Sequence, residues 1–162
     1  MGQIDRGEAE AERNGIERSP EWPRVERAHL VEQPSCQCCK PGADATAGKQ
    51  VHHIFPFHYC VALGRPDLEL DDRNLITLCQ DEEGKPGQDH HLLVGHLDDF
   101  QSSNLGVTED AARTFFGMDA NAIRADAAWV AKCKSRLVPL DQMTDADKKA
   151  FEAAMNTRFP RK

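Results

Sequence analysis

Short apolar runs separated by polar loops occupy the middle of the chain. Residues 50–57 combine apolar and β-branched positions, which predicts a strand, and Pro56 is typical of a strand end. Residues 75–79 form a second short apolar run and predict a second strand. A helix is predicted to begin at His90, because Asp89 before it can accept hydrogen bonds from the first free backbone N–H groups.

The C-terminal third has the apolar spacing of helices. Three helices are predicted over residues 108–116 (ended by Gly117), 120–137 and 141–156. In the second, Ile123, Ala127, Val130 and Ala131 are predicted to share one face beside Trp129. In the third, Phe151 and Met155 are four residues apart and so lie on one side. These helices are predicted to pack and to support the strands.

The N-terminal part has almost no apolar stripe. Residues 1–27 alternate Glu and Arg, and Pro20, Trp22 and Pro23 are expected to interrupt any helix there. This pattern predicts a flexible, solvated arm, with docking to a partner as the alternative role. Residues 28–50 are predicted to form an irregular loop that carries a cluster of cysteines.

Composition limits the classes of function. The 162 residues suit one modest core, and 20 basic against 27 acidic residues give a net charge of -7. That balance argues against a general polyanion binder, but a bound cation could still dominate one cleft. Six acidic residues near the centre would repel DNA unless they turn away: Asp71, Asp72, Asp81, Glu82, Glu83 and Asp89. The absence of a signal-like or membrane-length apolar run predicts a soluble cytoplasmic protein.

Histidines and cysteines supply the candidate chemistry. Six of the seven histidines lie between residues 52 and 96, and histidine both binds metals and moves protons near neutral pH. Six cysteines without a secretory signal favour metal ligation or free thiols over disulfides. Cys36 and Cys39 have the Cys-x-x-Cys spacing, which lets two thiolates hold one ion from a tight turn.

The order of these motifs resembles the HNH endonuclease family, the ββα-metal nucleases. The resemblance rests on the pair His52-His53, the segment Asn74-Leu75-Ile76-Thr77-Leu78-Cys79, and His91, and it covers roughly residues 36–104. It implies an α+β protein with a short hairpin, a zinc-stapled ββα-metal core over residues 28–104, and a helical extension over residues 105–162.

The resemblance also implies roles for individual residues. His52 and His91 would bind one catalytic cation (Mg²⁺, Mn²⁺, Ni²⁺ or Zn²⁺), and His53 would be the general base. Asn74 would brace the loop that carries the base, with direct metal ligation as its second role. His96 follows His91 by five positions, about 140° around an α-helix, so it is expected at the rim, touching a phosphate or the leaving group.

The remaining candidates have weaker assignments. His58 is predicted either to contact the nucleic-acid backbone or to be an ordinary polar side chain at a strand end. Cys38, Cys60 and Cys133 are interpreted as incidental thiols, although Cys38 remains a candidate ligand if Cys36 or Cys39 points away.

A departure from the family pattern defines a predicted zinc site. His91 follows Asn74 by 17 positions, about eight more than the family pattern has, so residues 80–89 contain an insertion. His90 then falls where a fourth zinc-binding cysteine is usual. The implied structural Zn²⁺ site is Cys36, Cys39, Cys79 and His90, a set that zinc accepts. The alternative is a degraded site whose cysteines are simply buried thiols.

The predicted function is metal-dependent hydrolysis of phosphodiester bonds in DNA, most simply duplex DNA. One cation can activate the phosphate and stabilise the leaving oxygen, while a histidine takes a proton from water. A catalytically inactive zinc-binding interaction module is one alternative. A structure-specific nuclease that depends on a protein partner is another, and a homodimer stays possible because two copies could cut both strands.

Overall fold

The computed structural model describes residues 15–85 and 87–162. Helix α1 (Trp22–Glu32) begins with Pro23 in its first turn, where the missing N–H of proline costs nothing. Trp22 and Pro23 therefore begin a helix, and residues 22–32 are helical where an arm and a loop were predicted. The flexible arm predicted over residues 1–27 lies partly outside the described residues, since residues 1–14 are not among them.

A two-stranded antiparallel sheet forms the centre of a mixed α+β fold. Strand β1 (Gly48–His53) pairs with β2 (Leu75–Gln80), in a register that sets His53 opposite Leu75. The predicted second strand is confirmed and runs one residue further. The predicted first strand is shifted towards the N-terminus, because the chain bends at Ile54 and Phe55, and Phe57 already begins helix α2 (Phe57–Ala62).

The connection between the strands is held by buried polar side chains. After α2 come two 3₁₀ turns, Pro66–Glu69 and Asp72–Asn74, and the second leads directly into β2. The guanidinium of Arg65 is 1% exposed and donates to the Asp67 carboxylate and to the carbonyl of Phe159. This fastens the connection to the C-terminal end of the chain.

A π-helical turn, His91–Gly95, follows the loop after β2. The predicted helix therefore ends after five residues. Asp89 does not cap it as predicted, because its backbone has φ +57° and its carboxylate accepts from the N–H of Asp81 at 3.4 Å. Leu97 and Asp98 also have positive φ, 53° and 66°, so the chain turns sharply after His96.

The C-terminal part contains four helices. They are α3 (Val107–Glu109, continued by a π-helical turn at Asp110–Thr114), α4 (Ala120–Arg124), α5 (Ala127–Cys133) and α6 (Asp145–Arg158). The single helix predicted over residues 120–137 is divided, because Asp126 caps α5 by accepting from the N–H groups of Ala128 and Trp129. Val130 is 40% exposed, so it does not share the buried face with Trp129 as predicted.

Helix α6 buries the face that was predicted, although it begins later than predicted. Thr144 and Asp147 form a reciprocal capping box at its start, and Phe151 and Met155 are both buried. The predicted start was about four residues early, since residues 140–142 form a separate 3₁₀ turn.

One apolar cluster joins the hairpin, the π-helical turn and the C-terminal helices; its members include Leu78, Leu93, Val94, Phe115, Ile123, Trp129 and Met155. The indole Nε1 of Trp129 also donates to the carbonyl of Leu93 at 2.8 Å. The C-terminal helices thus support the segment that carries His91 and His96. A boundary at residue 104 stays a prediction. Within residues 15–85 and 87–162, no helix has the length and apolar character needed to cross a membrane.

Candidate metal centres

Three cysteines and one histidine meet in a buried cluster: Cys36, Cys39, Cys79 and His90. The loop after α1 supplies the first two, β2 the third, and the residue before the π-helical turn the fourth. Nδ1 of His90 lies 3.5, 3.4 and 3.3 Å from the sulfurs of Cys36, Cys39 and Cys79. The sulfurs of Cys39 and Cys79 are 3.7 Å apart.

These distances suit tetrahedral zinc. With Zn–S of about 2.3 Å and Zn–N of about 2.0 Å, ideal tetrahedral angles place sulfurs about 3.8 Å apart and sulfur from nitrogen about 3.5 Å. Nε2 of His90 donates to the carbonyl of Met118 at 2.8 Å, so a metal-bound, neutral ring would turn its Nδ1 lone pair towards the sulfurs. The four predicted residues do converge, and they could hold a metal ion such as zinc.

The electrostatics of the cluster favour a cation at its centre. Burial alone would lower the pKa of His90, but hydrogen bonds with cluster thiols that include Cys36 and Cys79 raise it to about 12. Hydrogen bonds from Cys36 and Cys39 lower the pKa of the Cys79 thiol. Zinc replaces such protons when it binds thiolates and imidazole. The thiol of Cys38 instead points to the carbonyl of Phe115 at 3.4 Å.

A second group of possible ligands consists of His52, His91 and His96. His52 comes from β1, and the other two flank the π-helical turn. The His52 ring centroid lies 5.3 Å from that of His91 and 4.7 Å from that of His96. The Nε2 atoms of His91 and His96 are 3.1 Å apart.

The π-helical turn is the reason that His96 reaches this group. Its backbone N–H donates to the carbonyl of His91 at 3.1 Å, a bond between residues five positions apart. Residues at that spacing lie on the same side of a π-helical turn, whereas an α-helix would separate them by about 140°. His96 therefore lies with His52 and His91, whereas an α-helix would place it at the rim, and its role stays a prediction.

The hydrogen bonds of Nδ1 in His91 and His96 determine which ring nitrogen of each residue carries the proton. Nδ1 of His96 donates to the carbonyl of Ser102 at 2.6 Å, and Nδ1 of His91 donates to Oε1 of Gln80 at 2.9 Å. Each neutral ring therefore has an Nε2 lone pair, and the two lone pairs face each other. For ideal tetrahedral zinc, two imidazole nitrogens would be about 3.3 Å apart.

His52 completes the arrangement. Its Nε2 is buried and has no hydrogen-bond partner among the described residues. Burial lowers the pKa of both His52 and His91, and the charge of His96 lowers each further. A divalent cation would satisfy these nitrogens where added protons are disfavoured. Gly95 leaves room for His52, since a Cβ there would lie 3.2 Å from its Cε1.

His53 lies beside this group but has a different environment. Its Nε2 donates to the carbonyl of Glu69 at 2.8 Å, so the neutral ring keeps its lone pair on Nδ1. The ring centroid of Trp22 is 4.5 Å away and that of Phe57 is 5.9 Å away. Burial, with a smaller effect of Arg18, lowers the pKa of His53 to about 3. His53 is consequently neutral near pH 7 and can accept a proton.

Asn74 braces the backbone between the strands. Its Oδ1 accepts from the N–H of Phe55 at 2.8 Å, and its Nδ2 donates to the carbonyls of Phe55 and Leu68 at 3.0 Å each. The residue is fully buried, and backbone groups occupy both ends of its side-chain amide. Its geometry therefore matches the bracing role and not direct ligation.

One cavity of about 240 Å³ brings the predicted catalytic histidines together; His52, His53, His58, His91 and His96 all line it. Among the described residues that line it, Glu26 is the only carboxylate and Arg18 the only Arg or Lys. None of the six acidic residues flagged in the sequence lines the cavity. The acidic surface therefore does not close off this site.

Sequence reasoning missed part of the cavity. Arg18, Trp22 and Ser102 also line it. Trp22 is the one large aromatic residue in a charged stretch, and that contrast was a usable signal. His29 was also missed: it lies on α1, and its Nδ1 contacts the Asp72 carboxylate at 2.7 Å, which ties α1 to the turn before β2.

Comparison with known proteins gives no relative: no family model, no curated protein and no solved structure matches the chain.

Proposed function

We propose that the chain is a metal-dependent endonuclease of the HNH type that hydrolyses phosphodiester bonds in DNA. The observation that carries this proposal is the convergence of His52, His91 and His96 in the cavity that His53 also lines. The ring nitrogens of these three residues lie within 4.8 Å of one another and could hold a cation. His53 lines the same cavity, makes its own hydrogen bond to Glu69, and could act as the base.

The proposed ββα-metal core consists of the hairpin β1–β2 and the π-helical turn after it. β1 ends with His52 and His53, and the turn begins at His91, in the order that the resemblance implies. The helix of the family pattern is reduced here to one π-helical turn. The hydrogen bonds of Asn74 to Phe55 and Leu68 support the part of the fold that holds His53 in place.

The roles follow from the hydrogen bonds of each ring. His52, His91 and His96 would hold the cation through Nε2 atoms, of which two are oriented by carbonyl or amide acceptors. A divalent cation there would supply Lewis acidity and stabilise the departing oxygen. Nδ1 of His53 would take a proton from water as the water oxygen bonds to phosphorus, and the bond from phosphorus to the leaving oxygen breaks.

The first experiment is plasmid nicking. Protein that contains its structural zinc is incubated with supercoiled plasmid and Mg²⁺, Mn²⁺, Ni²⁺ or Zn²⁺, with EDTA as the control. His53→Ala removes the base, and His53→Gln keeps a donor that can reach the Glu69 carbonyl. We expect both variants to nick about 10²–10⁴-fold more slowly than wild type while remaining folded.

The proposal fails if folded wild-type protein nicks neither plasmid nor branched DNA with any of these cations. Activity that is unchanged in His53→Ala and in His53→Gln would contradict the assignment of the base.

One observation favours a second candidate. His53 is only 8% exposed and lies against Trp22, and a pKa of about 3 is low for an efficient base. A zinc-stapled interaction module without catalysis would tolerate such a covered histidine. It would bind zinc in the Cys36 cluster and show no cation-dependent nicking. A partner that moves α1 would instead make nicking depend on that partner or on branched DNA.

A further inference from the structure

Ser102 lines the cavity and has a buried hydroxyl without a hydrogen-bond partner in the described chain. The residue is 4% exposed, and its Oγ has no hydrogen-bond partner among residues 15–85 and 87–162. Its backbone carbonyl accepts from Nδ1 of His96 at 2.6 Å, so the residue adjoins the three-histidine group. A buried hydroxyl without a partner lowers stability, so its presence requires another explanation.

Arg18 supplies a positioned positive charge to the same cavity. Its guanidinium carbon lies 4.1 Å from the ring centroid of Phe57 and 4.7 Å from that of Trp22. Nη1 is 3.8 Å from Oε2 of Glu69, at the outer limit of an ion pair. The side chain is 23% exposed. The two aromatic rings hold the guanidinium, so binding an anion would cost little ordering of this long side chain.

We propose that Arg18 and Ser102 form the phosphate-binding subsite of this cavity and hold the sugar–phosphate backbone of the nucleic-acid substrate. The inference rests on the proposed function and identifies which groups bind the strand. A guanidinium carries N–H donors in a fork that can match two phosphate oxygens, and a serine hydroxyl can donate to one more. With a net charge of -7, the chain needs such local donors to bind a polyanion.

The test measures binding and stability together. A fluorescein-labelled DNA duplex is titrated with zinc-containing protein in Ca²⁺, and anisotropy gives Kd at several salt concentrations. We expect Arg18→Gln to weaken binding about tenfold and to reduce the slope of log Kd against log salt by about 0.9. Arg18→Lys should restore the slope but not the full affinity, since lysine lacks the guanidinium fork.

Ser102→Ala separates binding from structure. It removes a hydroxyl that has no partner, so its urea midpoint should equal or exceed that of wild type. We nevertheless expect it to bind the duplex about threefold or more weakly. A merely structural serine would give the opposite combination, a lower midpoint with unchanged binding.

Arg24→Gln and Ser135→Ala are the matched controls. Arg24 has a 68% exposed side chain paired with Glu21, Ser135 is exposed, and neither lines the cavity. The subsite proposal is overturned if Arg24→Gln weakens binding as much as Arg18→Gln, or if Arg18→Gln and Ser102→Ala bind like a wild type that nicks DNA. A wild type that neither binds nor nicks DNA with any cation overturns the proposed function itself.

Discussion

His91 and His96 face each other across a single π-helical turn, with their Nε2 atoms 3.1 Å apart and both outer nitrogens held by acceptors. Two lone pairs at that distance repel unless a cation or a proton lies between them. Since burial lowers the pKa of His91, a divalent cation is the better partner. The pair therefore marks the place in the cavity where the proposed cation would bind.

Removing the imidazole of His96 should abolish tight metal binding in the cavity. We expect His96→Ala, in protein with its zinc cluster filled, to lose more than about 100-fold in Ni²⁺ affinity. Residues that only orient metal ligands are already worth about 10–100-fold. Isothermal titration calorimetry measures the change. His58→Ala is the control, because His58 lines the cavity outside the three-histidine group. Ni²⁺ affinity within threefold of wild type in His96→Ala would remove His96 from the ligand set.

A methyl group at Gly95 should disturb the three-histidine group by crowding His52. The added Cβ would lie 3.2 Å from Cε1 and 3.3 Å from Nδ1 of His52, and 3.2 Å from Cδ1 of Leu78, which is closer than normal packing allows. We expect Gly95→Ala to rotate or displace the imidazole and to reduce Ni²⁺ affinity by about 10–100-fold. Zinc content, measured by elemental analysis, should remain unchanged. Loss of zinc from the Cys36 cluster as well would point to general unfolding instead.

The Cys36 cluster should carry a large share of the stability. Zinc binds comparable sites with apparent free energies of about 10–16 kcal/mol. We expect Cys79→Ser to lose stoichiometric zinc and to lower the melting temperature by more than about 10 °C. Cys133→Ser serves as the control, since Cys133 is only partly buried and outside the cluster. Equal zinc content in wild type and Cys79→Ser would show that this thiol is not a ligand.

Asn74 should be important for stability as well as for activity. Its side chain satisfies the N–H of Phe55 and the carbonyls of Phe55 and Leu68, all buried. We expect Asn74→Ala to lower the free energy of unfolding by roughly 2–4 kcal/mol, measured by urea denaturation, because these groups lose their partner. Asn74→Asp should also destabilise, since a carboxylate would face two carbonyls. Wild-type stability in both variants would refute the bracing role.

The ion pair between Asp71 and Arg73, in the turn before β2, should make the free energy of unfolding depend on pH in the acid range. Hydrogen bonds from Arg73 hold the pKa of the Asp71 carboxyl below its ordinary value. The unfolded chain thus takes up this proton at higher pH than the folded one. The stabilisation is present above the ordinary pKa of about 3.9 and is lost as pH falls through the folded value.

Urea midpoints of wild type and Asp71→Asn test this dependence. We expect a lower midpoint for the variant at pH 7 and a difference that shrinks as pH drops below about 4. Glu109→Gln is the control, because its ion pair with Arg113 is exposed on both sides and should contribute almost nothing. A difference that is independent of pH would mean that the charge of Asp71 has no role.

Local sequence patterns determined much of the fold. The apolar run at residues 75–79 predicted β2, because five neighbouring apolar or β-branched residues suit a buried strand. The spacing of Phe151 and Met155 predicted the buried face of α6 for the same local reason. Spacing in the sequence indicated only the Cys36 and Cys39 pair, and the resemblance to the HNH family added Cys79 and His90, with which the pair converges.

Tertiary structure alone decided the details of the cleft. The position of His96 depends on whether a turn is α- or π-helical, and Leu93 and Val94 of that turn pack in one apolar cluster with the C-terminal helices. Trp22 covers His53 because α1 packs across the hairpin, which is a contact between residues 31 positions apart. The hydroxyl of Ser102 became a candidate ligand only when its burial without a partner was visible. Long-range packing creates each of these features, and no periodicity in the sequence records it.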